Sequence, residues 1–283
     1  MHRYVSSGQN SSSAQGKKKG IIFSNLLKLK EISSGFSDWD LYRNHSDSLA
    51  ELRGLFLADG EKTVLRLLES GLKIKEIICR EKYLTEEFLK KTETHPEIEN
   101  VWKASSAELK TVRGYDLHQG IMALAYVPAL NIFPESGSVL VCNGITEANN
   151  IGSLLRSCPA FGVNAVILDS LSCHPYIRRS VRVSMGNIFG LNIFRTDDLK
   201  TVLLRMKMNG YSLFGTSLSE GSEDFRRTEF PEKSALILGN EDSGISEEIE
   251  TVCDRIIKIP MKNGVDSLNV AVSGAVFLSR MMR

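Results

Sequence analysis

Apolar and polar positions along this chain follow one repeating grammar from residue 138 onward. A short apolar run of strand length is followed by a Gly/Asn-rich polar loop, and then by an apolar stripe at helical spacing. The strand-like runs are SVLVCN (138–143), NAVIL (164–168), YSLFGT (211–216), ALILG (235–239) and the run ending in Ile256, Ile257 and Ile259. Near-continuous β-branched runs suit strands buried on both faces. The helical stripes between them are Ile151, Leu154 and Leu155, then Leu199, Val202, Leu203 and Met206 within 197–208, and finally Val270, Val272, Ala275, Val276 and Leu278. This alternation predicts a parallel sheet with helices on both faces. Local chemistry adds boundaries. Pro260 bars continuation of the last strand, Asn263 and Gly264 supply a turn, and Ser267 stands where an N-cap is expected. Ser246 is placed to cap another helix, with Glu247 and Glu248 in its first turn.

Residues 49–128 carry a second, smaller α/β pattern. Leu52, Leu55, Phe56 and Leu57 open it. The predicted order is then helix, strand, helix, strand, helix, strand: a stripe from Val64 to Leu72, KIKEIIC (73–79), a helix over 84–91, a strand through Ile98, Val101 and Trp102, a short helix capped by Ser105, and IMALAYV (121–127). Residues 129–137, with Pro134, Ser136 and Gly137, read as a linker, leaving 138–283 as the larger domain. Residues 1–48 read as a tail and its approach. Residues 21–33 suggest a short amphipathic helix through Ile22, Leu26, Leu29 and Ile32. The opening segment has no acidic residue before Glu31 and carries Lys17, Lys18 and Lys19 in a row. A plain tail, an organelle-targeting peptide and a basic arm on RNA phosphates are all compatible with it.

Composition narrows the picture. The 283 residues are 42% hydrophobic and 24% charged, ordinary for a globular protein with a sizeable core. The formal net charge is +1, which excludes a broad basic face and leaves room for a local one. The five cysteines are scattered and lack CxxC spacing, so a disulfide framework or a zinc site is not expected, and a reducing compartment such as the cytoplasm fits. Cys79, Cys142 and Cys253 lie in or beside apolar runs and are expected to be buried thiols. No apolar run reaches membrane-spanning length.

Three separated loops hold the chemistry: NGITEANNIGSLLRSCPAFG (143–162), LILGNEDSGIS (236–246) and IPMKNGVDSLNVAVS (259–273). In open α/β sheets ligands sit beyond the carboxyl ends of strands, where such loops gather. In this order the blocks resemble the SpoU-type RNA 2'-O-methyltransferases. Asn150, Gly152, Arg156, Phe161 and Gly162 match the first motif, Leu238, Gly239, Glu241 and Gly244 the second, and Ile259, Pro260, Met261, Ser267, Leu268, Asn269 and Val270 the third. The resemblance covers roughly residues 50–283. It implies a trefoil-knotted α/β methyltransferase domain working as a homodimer, with S-adenosylmethionine in the knotted loops, preceded by an α/β RNA-binding domain. Asp59, Gly60 and Glu61, and His118, Gln119, Gly120 and Ile121, echo the signatures of that first domain.

Carried over by position, Asn150, Arg156, Glu241, Ser267 and Asn269 are the expected catalytic set. Leu238, Gly239, Ile259, Met261 and Leu268 are expected around the cofactor. Methyl transfer from a sulfonium to a ribose hydroxyl needs alignment and proton removal rather than a metal, and the sequence offers no metal-ligand cluster. Arg178, Arg179 and Arg182 form the densest basic cluster of this half. They suit RNA phosphates, and equally a solvated or dimer-facing flank. Glu147 and Ala148 replace the Asp-Pro pair common in the family, which leaves that loop less rigid. Ribosomal RNA is favoured over transfer RNA because of the first module. A non-catalytic RNA-binding protein of the same fold is the main rival; a Rossmann oxidoreductase is disfavoured because no GxGxxG follows a strand.

Overall fold

A computed structural model describes residues 29–32, 41–42, 53–113 and 120–282. The expectations on Ile22, Leu26, Lys17–Lys19, His118 and Gln119 lie outside these residues. Among the described residues the strands form a five-stranded and a seven-stranded sheet.

The smaller sheet contains β1 (Leu29–Glu31), β2 (Leu55–Asp59), β3 (Ile74–Cys79), β4 (Ile98–Lys103) and β5 (Ile121–Tyr126), in the order β1-β4-β3-β5-β2. Between them run α1 (Glu61–Ser70), α2 (Glu86–Thr94) and α3 (Ser106–Arg113). Two expectations are corrected here. Leu29–Glu31 is an edge strand parallel to β4, not part of a helix. The free edge of β4 outweighs a weak helical stripe, and Lys30–Asn100 and Lys103–Glu31 contacts of 2.7 and 3.0 Å hold the register. The module also opens on a strand, β2, paired antiparallel with β5, before its first helix. Ser105 caps α3 as expected: its Oγ accepts from the Glu108 amide at 3.2 Å, and Glu108 Oε2 accepts from the Ser105 amide at 2.7 Å.

The larger sheet is parallel throughout, with β6 (Val139–Asn143), β7 (Ala165–Asp169), β8 (Asn192–Thr196), β9 (Ser212–Thr216), β10 (Glu223–Asp224), β11 (Ser234–Gly239) and β12 (Arg255–Lys258) ordered β10-β12-β9-β11-β6-β7-β8. Its helices are α4 (Ala148–Ala160), α5 (Arg178–Val183), α6 (Leu199–Met208), α7 (Glu247–Glu250) and α8 (Val270–Met281). The central strands β6, β7 and β11 are buried along their whole length, as their apolar runs require. β10 interrupts a stretch, 217–233, expected to be loop alone. After β12 the chain returns to pack α8 on α4 and β11, and Gly274 makes that approach possible: a Cβ there would lie 2.4 Å from Leu154 Cδ2. This packing turns Val272 outward, 51% exposed, where a buried position was expected; Leu278 faces inward as expected, and Phe277 and Met281 join it there.

Two caps also differ from expectation. Asn269, not Ser267, caps α8: its Oδ1 accepts from the amides of Ala271 and Val272 at 2.9 and 3.3 Å. The Asn263–Gly264 turn, both residues at positive φ, is followed by further loop, so the helix begins at Val270, with the apolar stripe, rather than directly after Ser267. Ser246 occupies the N-cap of α7, yet its hydroxyl caps nothing. Cys79, Cys142 and Cys158 are buried, while Cys253 is only half-buried, and none of the five is in a disulfide.

The two sheets share one apolar core. Phe56 of β2 lies 5.0 Å from the Tyr176 ring and 5.5 Å from the Phe189 ring. Arg66 of α1 donates to the Met185 carbonyl at 2.8 Å, and Arg178 of α5 pairs with Asp59, its Nε at 3.0 Å from Oδ2.

Candidate active site

The strands β9, β11 and β12 are neighbours and end on the same side of the sheet, so the loops that follow them meet. Together they line a cavity of about 650 Å³, a size suited to a small-molecule ligand. Leu238, Ile257, Ile259, Leu268 and Phe277 make its apolar part, and Thr216, Ser217 and Ser219 add hydroxyls. The lining charges are the carboxylates of Glu241, Asp242 and Asp266 against Lys258. Lys258 Nζ is held by the Ser219 carbonyl at 3.1 Å. The surplus of carboxylates favours a ligand bearing positive charge.

Gly239 closes β11 where the chain doubles back on itself. A Cβ there would stand 2.1 Å from the backbone of Gly244 and Ile245, so no other residue fits the turn. Asn240 and Gly244 complete it with reciprocal backbone bonds of 2.9 Å. The turn presents Glu241 to the mouth of the cavity.

At that mouth the three sequence blocks are joined by side chains. Asn150, buried in the first turn of α4, donates from Nδ2 to Glu241 Oε1 at 2.5 Å. Its Oδ1 accepts from Asn269 Nδ2 at 2.9 Å. Since Asn269 Oδ1 is committed to the start of α8, the amide orientations are set along the whole relay. The relay runs from a helix N-terminus through two amides to a carboxylate. Gly152 lets α4 seat against α5, since a Cβ there would meet Val183 Cβ at 2.7 Å and the Ser180 carbonyl at 2.8 Å.

The structure thus brings together Asn150, Glu241 and Asn269, and places Ser267, Leu238, Gly239, Ile259, Met261 and Leu268 on the cavity wall. It does not bring Arg156 to its own chain's cavity. Arg156 is exposed, and the six positions separating it from Asn150 turn it about 240° around the helix. The arginine cluster divides. Arg178 is committed to Asp59, whereas Arg179 and Arg182 are exposed, with Arg179 Nε donating to Asn149 Oδ1 at 2.7 Å beside the site.

Sequence reading passed over Asn143, Asp169, Ser172 and Asn240. These four polar residues tie the loops behind the cavity, with Asn240 donating to the Gly144 carbonyl at 2.8 Å. The available signal was positional: Asn143 and Asp169 are the last residues of buried strands β6 and β7, where a polar side chain is costly unless paired.

A wholly parallel sheet with a ligand cavity at its carboxyl-end loops, joined to a smaller mixed sheet, defines a two-unit α/β protein. The same architecture is seen in an AdoMet-bound rRNA methyltransferase from Sinorhizobium meliloti, with a TM-score of 0.77 at 22% identity over 89% of this chain and 97% of that one. The SpoU methyltransferase AviRb from Streptomyces viridochromogenes superimposes with a TM-score of 0.73 at 24% identity, covering 87% of this chain and 95% of that one. The model of the SpoU rRNA Methylase family matches residues 137–279, half of the chain, and the chain belongs to that family. An uncharacterized tRNA/rRNA methyltransferase of Mycobacterium bovis is 30% identical over 182 residues, 62% of this chain and 63% of that relative's length.

Proposed function

We propose that this chain is an S-adenosylmethionine-dependent methyltransferase acting on a ribose 2'-hydroxyl of RNA, with ribosomal RNA favoured over transfer RNA. The observation that carries the reading is the Glu241–Asn150–Asn269 relay at the mouth of a ligand-sized cavity. The cavity suits the donor: apolar side chains for an adenine, hydroxyls for a ribose, and surplus carboxylates for a sulfonium and an α-ammonium. When bound, S-adenosylmethionine supplies an activated methyl group.

The chain's own residues then have distinct tasks. Leu238, Gly239, Ile259, Met261 and Leu268 hold the donor, largely through backbone and apolar contact. Asn150 and Asn269, with amides fixed by the relay, orient the acceptor nucleotide, and Ser267 on the cavity wall adds a hydroxyl. Glu241 locks Asn150 and shapes the entrance. Arg156 reaches an acceptor only across a contact between two copies, so the reading includes a homodimer in which it serves the other subunit's site. The exposed apolar side chains of Val265, Leu268 and Val272 beside the cavity mouth support such a contact. A guanidinium there binds phosphate and stabilises the alkoxide that develops as the hydroxyl proton leaves. Residues 49–128 act as an RNA-binding unit and 138–283 as the catalytic one, with Arg179 and Arg182 extending the RNA path. No helix among the described residues is long and apolar enough to cross a membrane.

Calorimetry with S-adenosylmethionine tests the cavity, and transfer of labelled methyl to purified ribosomal and transfer RNA, followed by mapping of ribose methylation, tests the reaction. Donor binding with label on a single ribosomal nucleotide is expected. Absence of donor binding removes the enzyme reading in favour of the RNA-binding rival, and label on transfer RNA alone moves the substrate.

A further inference from the structure

We propose that Asp169 is a positioning residue for this reaction, one buried carboxylate that sets the loops carrying Asn150 and Glu241 in mutual register. The inference rests on the functional reading above and adds a residue that touches neither donor nor acceptor.

Asp169 is the last residue of β7, 6% exposed, and does not line the cavity. Its oxygens accept from Asn143 Nδ2 at 2.8 Å, the Gly144 amide at 2.9 Å, the Ser172 amide at 2.8 Å and Ser172 Oγ at 2.6 Å. Each partner passes the constraint on. Ser172 Oγ accepts from the Ile145 amide at 3.0 Å, fixing the loop that leads to Asn150. Asn143 Oδ1 accepts from the Ser246 amide at 2.9 Å, and the Gly144 carbonyl accepts from Asn240, whose Oδ1 takes the amides of Asp242 and Ser243 at 3.0 and 3.2 Å. These last bonds bracket Glu241 from both ends of its loop.

The β6–β7 ladder ends at Cys142–Leu168, one residue short of Asn143 and Asp169, which stay paired on their other sides with Gly239 of β11 and Thr196 of β8. Between β6 and β7 the network takes over where the ladder stops and carries its constraint from the strand ends into the loops. A misplacement on the order of 1 Å between groups at a reaction centre costs about 10²-fold in rate. A carboxylate that satisfies four donors at once has one geometry available to it, which suits it to hold such a tolerance.

The test is an exchange of the two facing groups. Asp169→Asn alone turns an acceptor oxygen into a donor facing Asn143 Nδ2. Asn143→Asp alone sets two carboxylates face to face. The double variant Asn143→Asp/Asp169→Asn restores a donor–acceptor pair, keeps the charge, and leaves an acceptor for Ser246. Each single variant is expected to remain folded, to lose about 30-fold or more in kcat, to keep its KM for RNA within about threefold, and to show faster amide exchange at Gly144 and Ser246. The double variant should recover kcat to within about fivefold of the parent and regain slow exchange. A folded Asp169→Asn with parental kcat, or a folded double variant no better than the singles, overturns the proposal. If Asp169→Asn does not fold, Ser172→Ala takes its place: it removes one hydroxyl and should lower kcat about fivefold with little change in melting temperature, and unchanged kcat overturns the proposal. A parent that methylates no RNA sinks the functional reading instead. Exchange at Gly144 and Ser246 that is unaltered by Asp169→Asn sinks the loop linkage whatever the RNA result.

Discussion

Asn150 has the most to lose from a single substitution. Both its polar side-chain atoms are engaged, one by Glu241 and one by Asn269, and it is buried. Asn150→Ala leaves a carboxylate and an amide without their partner at the mouth. We expect turnover to fall about 10²-fold while donor affinity, measured by calorimetry, changes little. Arg156 behaves differently because it is exposed and contributes to no bond of the relay. Arg156→Lys keeps the charge and loses the planar fork; it is expected to retain RNA binding in a filter assay and lose most turnover, and near-normal turnover would count against its role. The thiols give a pH-dependent check. Burial pushes Cys79 up to about 12 and raises Cys142 and Cys158 as well. A raised thiol value means that the neutral form persists through neutral and mildly alkaline pH, so little thiolate is available. Iodoacetamide at pH 8 followed by peptide mass mapping should leave these three unmodified until the chain is unfolded.

At the scale of elements, the site depends on how helices begin and how strands end. α8 starts at Asn269 because that side chain both caps the helix and reaches Asn150, so one residue serves stability and site geometry together. Asn269→Ala should cost about 1 kcal/mol in denaturant unfolding and lower turnover more than that loss of stability explains, whereas Asn269→Asp keeps the cap and breaks the bond to Asn150. The end of β11 is equally constrained. Gly239→Ala places a Cβ 2.1 Å from the Gly244 backbone. It should destabilise by roughly 1–3 kcal/mol and weaken donor binding about tenfold in calorimetry, since the loop it displaces lines the cavity.

At the scale of the molecule, the two sheets are held as one body by Phe56 packed near Tyr176 and Phe189, and by Arg178 paired with Asp59. Both partners of that pair are largely buried, so removing one strips the other of its ion pair in a partly desolvated place. Arg178→Ala should therefore cost about 2–4 kcal/mol in denaturant unfolding. If the smaller unit engages RNA, the same variant should raise KM for a long RNA while leaving donor binding intact. Arg179 and Arg182 are outside this contact, and Arg179→Ala should leave stability unchanged.

The sequence by itself determined five of the seven strands of the larger sheet, their alternation with helices, and the three polar loops that meet at the cavity mouth; the edge strands β8 and β10 were not legible in it. Buried parallel strands must be written as apolar runs, and polar loops with Gly and Asn must follow them. It also named Asn150, Glu241 and Asn269 through a family pattern. What it left undetermined depended on contacts between distant residues. Leu29–Glu31 carries too few residues to declare itself a strand, and only the free edge of β4 makes it one. Ser267 and Asn269 are both capping types, and the choice falls to Asn269 because Asn150 waits for its amide 119 positions away. Arg178 reads as one of three equivalent arginines until Asp59 is placed beside it. Asp169 is a single acid at a strand end, and its significance exists only where two loops converge on its oxygens and a third is tied to them through Asn143 and Gly144. Periodicity is set by neighbours along the chain, whereas a buried polar group takes its role from whichever partners the fold brings to it.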